Sequence, residues 1–187
     1  MALFEPTEKV GVFIDGQNFK GKLHYAFPNS ETDFRKLYAY LKDLGGILKF
    51  VNYYAIDFSG IGELTETTPE RWKGFVRHLR DCRYSPCIKP AYVIDTNAGK
   101  KIKGNQDIEI ATDVLSSLAE QVIHRVVLIT GDRDFAYLAE RIREWPFCAQ
   151  AALICPRDTA PALRDVVKYV ISLEEVAPNF LKPRRPR

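Results

Sequence analysis

The amino-acid sequence predicts an α/β protein built on a doubly wound, mostly parallel sheet. Strand-like and helix-like segments alternate along the chain, the pattern of parallel strands joined by helical crossovers. Two strand-like runs, Val10 to Asp15 and Val126 to Asp132, are almost wholly apolar until they approach an aspartate, as central strands covered on both faces are. The chain has 187 residues, 46% of them hydrophobic, enough for one domain with a substantial core.

Val10 to Asp15 reads as the first strand, and a helix begins near Asn18 and runs to about Tyr25. Thr32 or Asp33 caps a second helix. In it Phe34, Leu37, Tyr38, Leu41 and Leu44 follow helical spacing until Gly45-Gly46 ends it. Ile47 to Ile56, rich in β-branched and aromatic residues, is a second strand. Residues 57–68 form a loop, and Thr68 before Pro69 opens a helix with proline in its first turn. Trp72, Phe75, Val76 and Leu79 are its buried stripe. Cys87 to Ile94 is a third strand, placed at an edge by Pro90.

Thr96 to Gly104 is polar, basic and glycine-containing, the composition of a mobile loop. Asp107 starts a helix whose core face is Ile108, Ala111, Leu115, Leu118 and Val122. Arg125 to Thr130 is a fourth strand. Phe135, Leu138, Ala139 and Ile142 line the next helix, which Trp145-Pro146 ends. Ala149 to Ile154 is a fifth strand, Pro161 to Tyr169 a short helix, and Val170 to Leu173 a last short strand.

Several classes of protein are disfavoured. No apolar run approaches the ~20 residues a membrane helix needs. The first residues lack the basic and apolar regions of a signal peptide, so the expectation is a cytoplasmic protein with no membrane partner. Four cysteines, Cys82, Cys87, Cys148 and Cys155, match no zinc spacing and read as buried free thiols. The histidines His24, His78 and His124 show no ligand-like spacing. The net charge of +3 decides nothing by itself, but its distribution is informative. Lys100, Lys101 and Lys103 precede Asp107, and for them phosphate contact is favoured over plain solvated charge. The basic, proline-rich residues 179–187 read as a tail beyond a domain at 1–178.

Three acidic stations concentrate the chemistry: Asp15 after the first strand, Asp107 at a helix start, and Asp132 with Asp134 after the fourth strand. In a parallel sheet the strand carboxyl ends converge on one edge, where ligands bind. Each aspartate alone has a structural explanation as a turn residue, helix cap or dipole partner. Asp132 and Asp134 cannot both be caps, and two carboxylates so close favour a cation or a raised pKa. Glu109 and Asp113 lie roughly 200° and 240° round the helix from Asp107, away from the core face, with Glu109 as solvent-exposed charge. Oxygen ligands of this kind suit Mg²⁺ or Mn²⁺. Together, Asp15, Asp107, Asp132 and Asp134 support metal-assisted phosphodiester hydrolysis without a covalent nucleophile, most simply by a nuclease. Phe19, Tyr25 and Tyr53 are candidate base-stacking residues, although core packing is the stronger reading. A homodimer stays open, with Trp72 and Phe75 as interface residues, and core packing is again the stronger reading.

Ile14-Asp15-Gly16-Gln17-Asn18 resembles the I-D-x-x-N opening of the NYN domains, the LabA-like (DUF88) branch of the PIN superfamily. Lys103-Gly104, followed by two residues and Asp107, is similar to that branch's K-G-x-D motif with one extra residue. Thr130 to Phe135 resembles its S/T-G-D-x-D-F motif, and Leu163 to Val176 its closing segment. The resemblance spans about Lys9 to Val176. It implies a PIN-like Rossmannoid three-layer sandwich and a single-strand ribonuclease using Mg²⁺ or Mn²⁺, with RNA as partner. It assigns metal binding to Asp15, Asp107, Asp132 and Asp134, support of the site to Asn18, and a further helix aspartate to Asp113. The acidic residue that many PIN nucleases carry on an earlier helix has only Glu66 and Glu70 as candidates. The branch also includes regulators, which leaves a catalytically weak module that binds RNA or a protein as the alternative.

Overall fold

The structure, a computed structural model, describes residues 2–64, 68–96, 99–146 and 149–184. The first strand, β1, runs Phe4–Asp15 and so starts well before the apolar run at Val10. Its opening residues Glu5, Pro6 and Thr7 are exposed and carry no hydrophobic pattern, which is why the sequence hides them. Then come α1 (Gly16–Ala26), β2 (Ser30–Thr32), α2 (Phe34–Asp43) and β3 (Gly45–Asp57). Asp33 caps α2 by accepting from the backbone N–H groups of Arg35 and Lys36. Gly45 and Gly46 make the turn into β3 with φ of +95° and +71°. At Gly45 a Cβ would also lie 2.5 Å from the Phe4 carbonyl oxygen, so no other residue fits.

After a 3-10 turn (Ser59–Leu64), α3 (Pro69–Asp81) begins with Thr68 accepting from Arg71 N. The next elements are β4 (Ser85–Pro90), β5 (Tyr92–Thr96), β6 (Gly99–Lys103), α4 (Asp107–Ala119) and β7 (Arg125–Ile129). A 3-10 turn (Arg133–Phe135) leads to α5 (Ala136–Arg143), β8 (Gln150–Cys155), α6 (Pro161–Arg164), β9 (Tyr169–Ser172), α7 (Leu173–Val176) and β10 (Leu181–Pro183).

The main sheet has six strands in the order β4-β3-β1-β7-β8-β9, and every pairing is parallel. The chain winds outward from β1 through β3 to β4. It then returns to the middle and winds the other way through β7, β8 and β9. The two halves meet between β1 and β7, the switch point at which ligands bind in open α/β sheets. Side chains alternate across the sheet. Val12 and Ile14 of β1, and Val127 and Ile129 of β7, join the layer of α1, α2 and α3 through Phe19, Leu37, Leu41 and Leu79. Phe13, Val126 and Leu128 face the opposite layer, with Ile110 and Val114 of α4 and Leu138 and Ile142 of α5. The result is a three-layer α/β sandwich. Among the described residues, no helix is long and apolar enough to cross a membrane.

Several expectations are corrected. The strand expected at Cys87–Ile94 is two strands that break at Ala91. β4 is the sheet edge, in keeping with Pro90, while β5 leaves the sheet and pairs antiparallel with β6. Lys100, Lys101 and Lys103 therefore stand on a β-strand rather than in a mobile loop. A Val93–Ile102 cross-strand pair helps join the two strands, and the lysines are exposed. On α4 the buried residues are Ile110, Val114 and Leu118, whereas Ile108 is 79% exposed. The short helix from Pro161 ends at Arg164, and the last parallel strand covers Tyr169–Ser172. Residues past 178 are not a free tail up to Arg184. Phe180 is buried, Leu181–Pro183 pairs antiparallel with Ser30–Thr32, and Arg184 N donates to the Asn29 carbonyl. Arg185 and Arg187 lie outside the described residues.

The ambiguous residues sort by burial. Phe75 makes edge contacts with Phe34 and Tyr53, and Trp72 lies tilted against Phe75. Phe19 and Tyr53 are core, while Tyr25 is exposed. Cys82 and Cys155 are buried and Cys87 partly so, whereas Cys148 lies outside the described residues.

Candidate metal centre

Asp15 ends β1 and caps α1. Its Oδ1 accepts from Asn18 N at 3.1 Å, and its Oδ2 accepts from Thr130 Oγ1 at 3.0 Å. The strand meets the helix closely here: a Cβ on Gly16 would lie 2.4 Å from the Tyr54 carbonyl oxygen. Asn18 reaches across the switch point, its Oδ1 accepting from Gly131 N at 2.7 Å. That bond ties the start of α1 to the turn after β7, so the Asn18 oxygen is engaged within the protein.

Thr130 joins two acidic stations. Buried at 3% exposure, its hydroxyl donates to Asp15 and accepts from Asp132 N at 3.1 Å. Asp132 caps the following 3-10 turn by accepting from Asp134 N at 3.0 Å, which leaves the Asp134 carboxylate outside the cap. Asp107 opens α4 under a clamp from Asn105, whose Nδ2 donates to Asp107 Oδ2 at 2.6 Å and whose Oδ1 accepts from Asp107 N at 2.7 Å. Gln106 is buried and donates to the Cys87 carbonyl at 3.0 Å. The two residues between Gly104 and Asp107 thus each make a structural contact of their own.

Asp107, Asp132 and Asp134 can each offer a carboxylate oxygen, and these oxygens lie within 4.8 Å of one another. Hard oxygen donors at that spacing match the ligand preference of Mg²⁺ and Mn²⁺. Asp15 lies outside this trio but lines the same pocket of about 190 Å³, together with Asp107, Asp132, Gln17, Asn18 and Tyr54. Burial raises the Asp15 pKa above the ordinary carboxylate range, and the Asp107 and Asp132 charges push it the same way. The Asp107 carboxyl is raised by burial first and then by Asp132 and Asp134. Such mutual repulsion is what a divalent cation relieves.

Asp113 accepts from Tyr54 Oη at 2.7 Å and is not one of the three grouped carboxylates. The cause is the rotation of α4. Asp113 is one turn from the buried Ile110, on the side that faces β3. Glu109 is half exposed and pairs with Lys89, whose hydrogen bond holds its carboxyl below the usual range. Lys100, Lys101 and Lys103 stand on β6, which runs through Gly104 straight into the Asp107 segment. Glu66 lies outside the described residues, and Glu70 is exposed in the first turn of α3. Sequence reasoning missed Thr130, Tyr54 and Gln106. Only Thr130 left a signal, a hydroxyl residue between a central strand and Asp132.

The sequence profile of the NYN domain matches residues 9–174. The fold is similar to the crystal structure of a protein of unknown function from Vibrio parahaemolyticus, with a TM-score of 0.73 and 22% identity, over 94% of this chain and 97% of that one. No functionally curated protein matches. The profile runs from the start of the β1 core to α7 and takes in every acidic station, so this chain belongs to the NYN domain family, part of the PIN-like nuclease superfamily.

Proposed function

We propose that this protein is a metal-dependent ribonuclease that hydrolyses phosphodiester bonds in single-stranded or structured RNA. The observation that carries the reading is the convergence of Asp107, Asp132 and Asp134 on one point at the switch of a NYN sheet. The trio would hold Mg²⁺ or Mn²⁺, which when bound supplies Lewis acidity toward the phosphodiester. Asp15 lines the same pocket, and Thr130 bridges it to the turn after β7 that carries Asp132. Asn18 holds that turn in place through Gly131. Lys100, Lys101 and Lys103 attract the RNA backbone and supply a salt-dependent part of binding.

The test is cleavage of single-stranded RNA with Mn²⁺ or Mg²⁺ by wild type, Asp132→Asn and Asp15→Asn/Asp132→Asn. Metal-dependent cutting that falls by at least about 100-fold in Asp132→Asn, with its far-ultraviolet dichroism unchanged, is expected. Equal cutting by wild type and variant would reject this site. No cutting by wild type, with RNA binding that survives EDTA, would favour a binding module.

A further inference from the structure

Asp107 reaches the carboxylate trio from a different part of the fold than its partners. Asp132 and Asp134 follow β7 in the middle of the sheet, whereas the segment around Asp107 is tied to the sheet edge. Lys89, on β4, donates to the Asn105 carbonyl at 3.1 Å and to Glu109 Oε1 at 2.5 Å. These partners sit two residues before and two residues after Asp107, so one ammonium group straddles the ligand. Gln106, 8% exposed, donates to the Cys87 carbonyl, also on β4. Just before it, Gly104 packs so closely on Ile56 of β3 that a Cβ would fall 2.5 Å from Ile56 Cγ2. The Asn105 clamp then passes this fixed backbone on to the Asp107 side chain and occupies Oδ2.

We propose that Lys89 and Gln106 are positioning residues for Asp107: by locking residues 104–109 onto the β4 edge they set the affinity of the carboxylate trio for a divalent cation. The inference rests on the reading of that trio as a metal centre. Neither residue is one of the three carboxylates that would hold the ion. Each acts through the backbone that presents Asp107, and groups that orient a ligand in this way commonly change metal affinity by about 10–100-fold when lost.

The sign of the effect separates positioning from simple electrostatics. Lys89→Met removes a positive charge and leaves Glu109 unopposed, so the field alone would tighten cation binding. Loss of positioning weakens it. Mn²⁺ titration of the full chain, followed by calorimetry and by the electron paramagnetic resonance signal of free Mn²⁺, reads the difference. Dissociation constants about tenfold or more above wild type are expected for Lys89→Met and Gln106→Leu. Lys89→Arg, which can still donate to both partners, is expected to restore most of the affinity. Thermal unfolding in EDTA confirms that each variant is folded at the titration temperature. Lys89 is 41% exposed, so its Met variant carries the test alone if Gln106→Leu does not fold.

Unchanged or tighter Mn²⁺ binding in Lys89→Met, beside lost binding in Asp107→Asn, would overturn the positioning role and leave the metal centre standing. Mn²⁺ binding that is as tight in Asp107→Asn as in wild type would overturn the metal centre itself, and the positioning role with it.

Discussion

Asp15 combines a structural and an electrostatic role in one carboxylate. It caps α1 and receives the Thr130 hydroxyl, yet burial and the neighbouring Asp107 and Asp132 hold its pKa above the ordinary range. A carboxyl whose folded pKa exceeds its unfolded one binds protons more readily in the folded state. Its contribution to stability is therefore present at acid pH and is lost as pH rises through the folded value. Asp15→Asn keeps a capping side chain and removes the charge. Metal-free Asp15→Asn is expected to unfold at a higher temperature than wild type at neutral pH, with the gap closing as pH falls through the carboxylate range. Thermal unfolding in EDTA between pH 4 and 8 measures this, and a pH-independent gap would exclude ionisation as its cause. The aspartates that bear this chemistry are visible in the sequence because each ends a strand or starts a helix. Their hydrogen-bond partners are not, because Asn18 meets Gly131, and Thr130 meets Asp15, only across neighbouring strands.

At the scale of elements, α4 shows the limit of periodicity. Ile108, Ala111, Leu115 and Leu118 make one helical stripe, and Ile110, Val114 and Leu118 make another. The helix is apolar on enough of its surface that its rotation cannot be read from spacing. The sheet chooses the second stripe and leaves Ile108 in solvent. Ile110→Ala is expected to cost about 2–5 kcal/mol, whereas Ile108→Ala should stay within about 0.5 kcal/mol of wild type. Urea unfolding of both variants checks the rotation, and equal losses would contradict it. The same rotation brings Asp113 to Tyr54. The β5–β6 pair was hidden for another reason. The lysine-rich half, Gly99–Lys103, has the composition of a loop, and only its antiparallel register with Tyr92–Thr96 reveals it as a strand.

At the scale of the molecule, a cation held by the three carboxylates at the switch point would couple its binding to folding. A ligand that binds only the folded state at 100 times its Kd stabilises it by about 2.7 kcal/mol. For a domain of this size that is a rise in Tm of roughly 5–10 °C. Saturating Mn²⁺ should produce such a rise in wild type and none in Asp107→Asn. A wild-type Tm that ignores Mn²⁺ would argue against a cation at these carboxylates. The sequence by itself determined the α/β class, the order of most strands and helices, the edge position signalled by Pro90 and the aspartates at strand and helix ends. All of these follow from local rules: alternation, helical spacing, capping and the stiffness of proline. Only the tertiary structure decided that β1 and β7 are neighbours, how α4 is turned, that Lys89 straddles Asp107, and that Leu181–Pro183 returns to pair with Ser30–Thr32. Those features join residues far apart in the chain, and no local pattern encodes which distant surface a side chain will meet once the sheet has closed its two layers over the core.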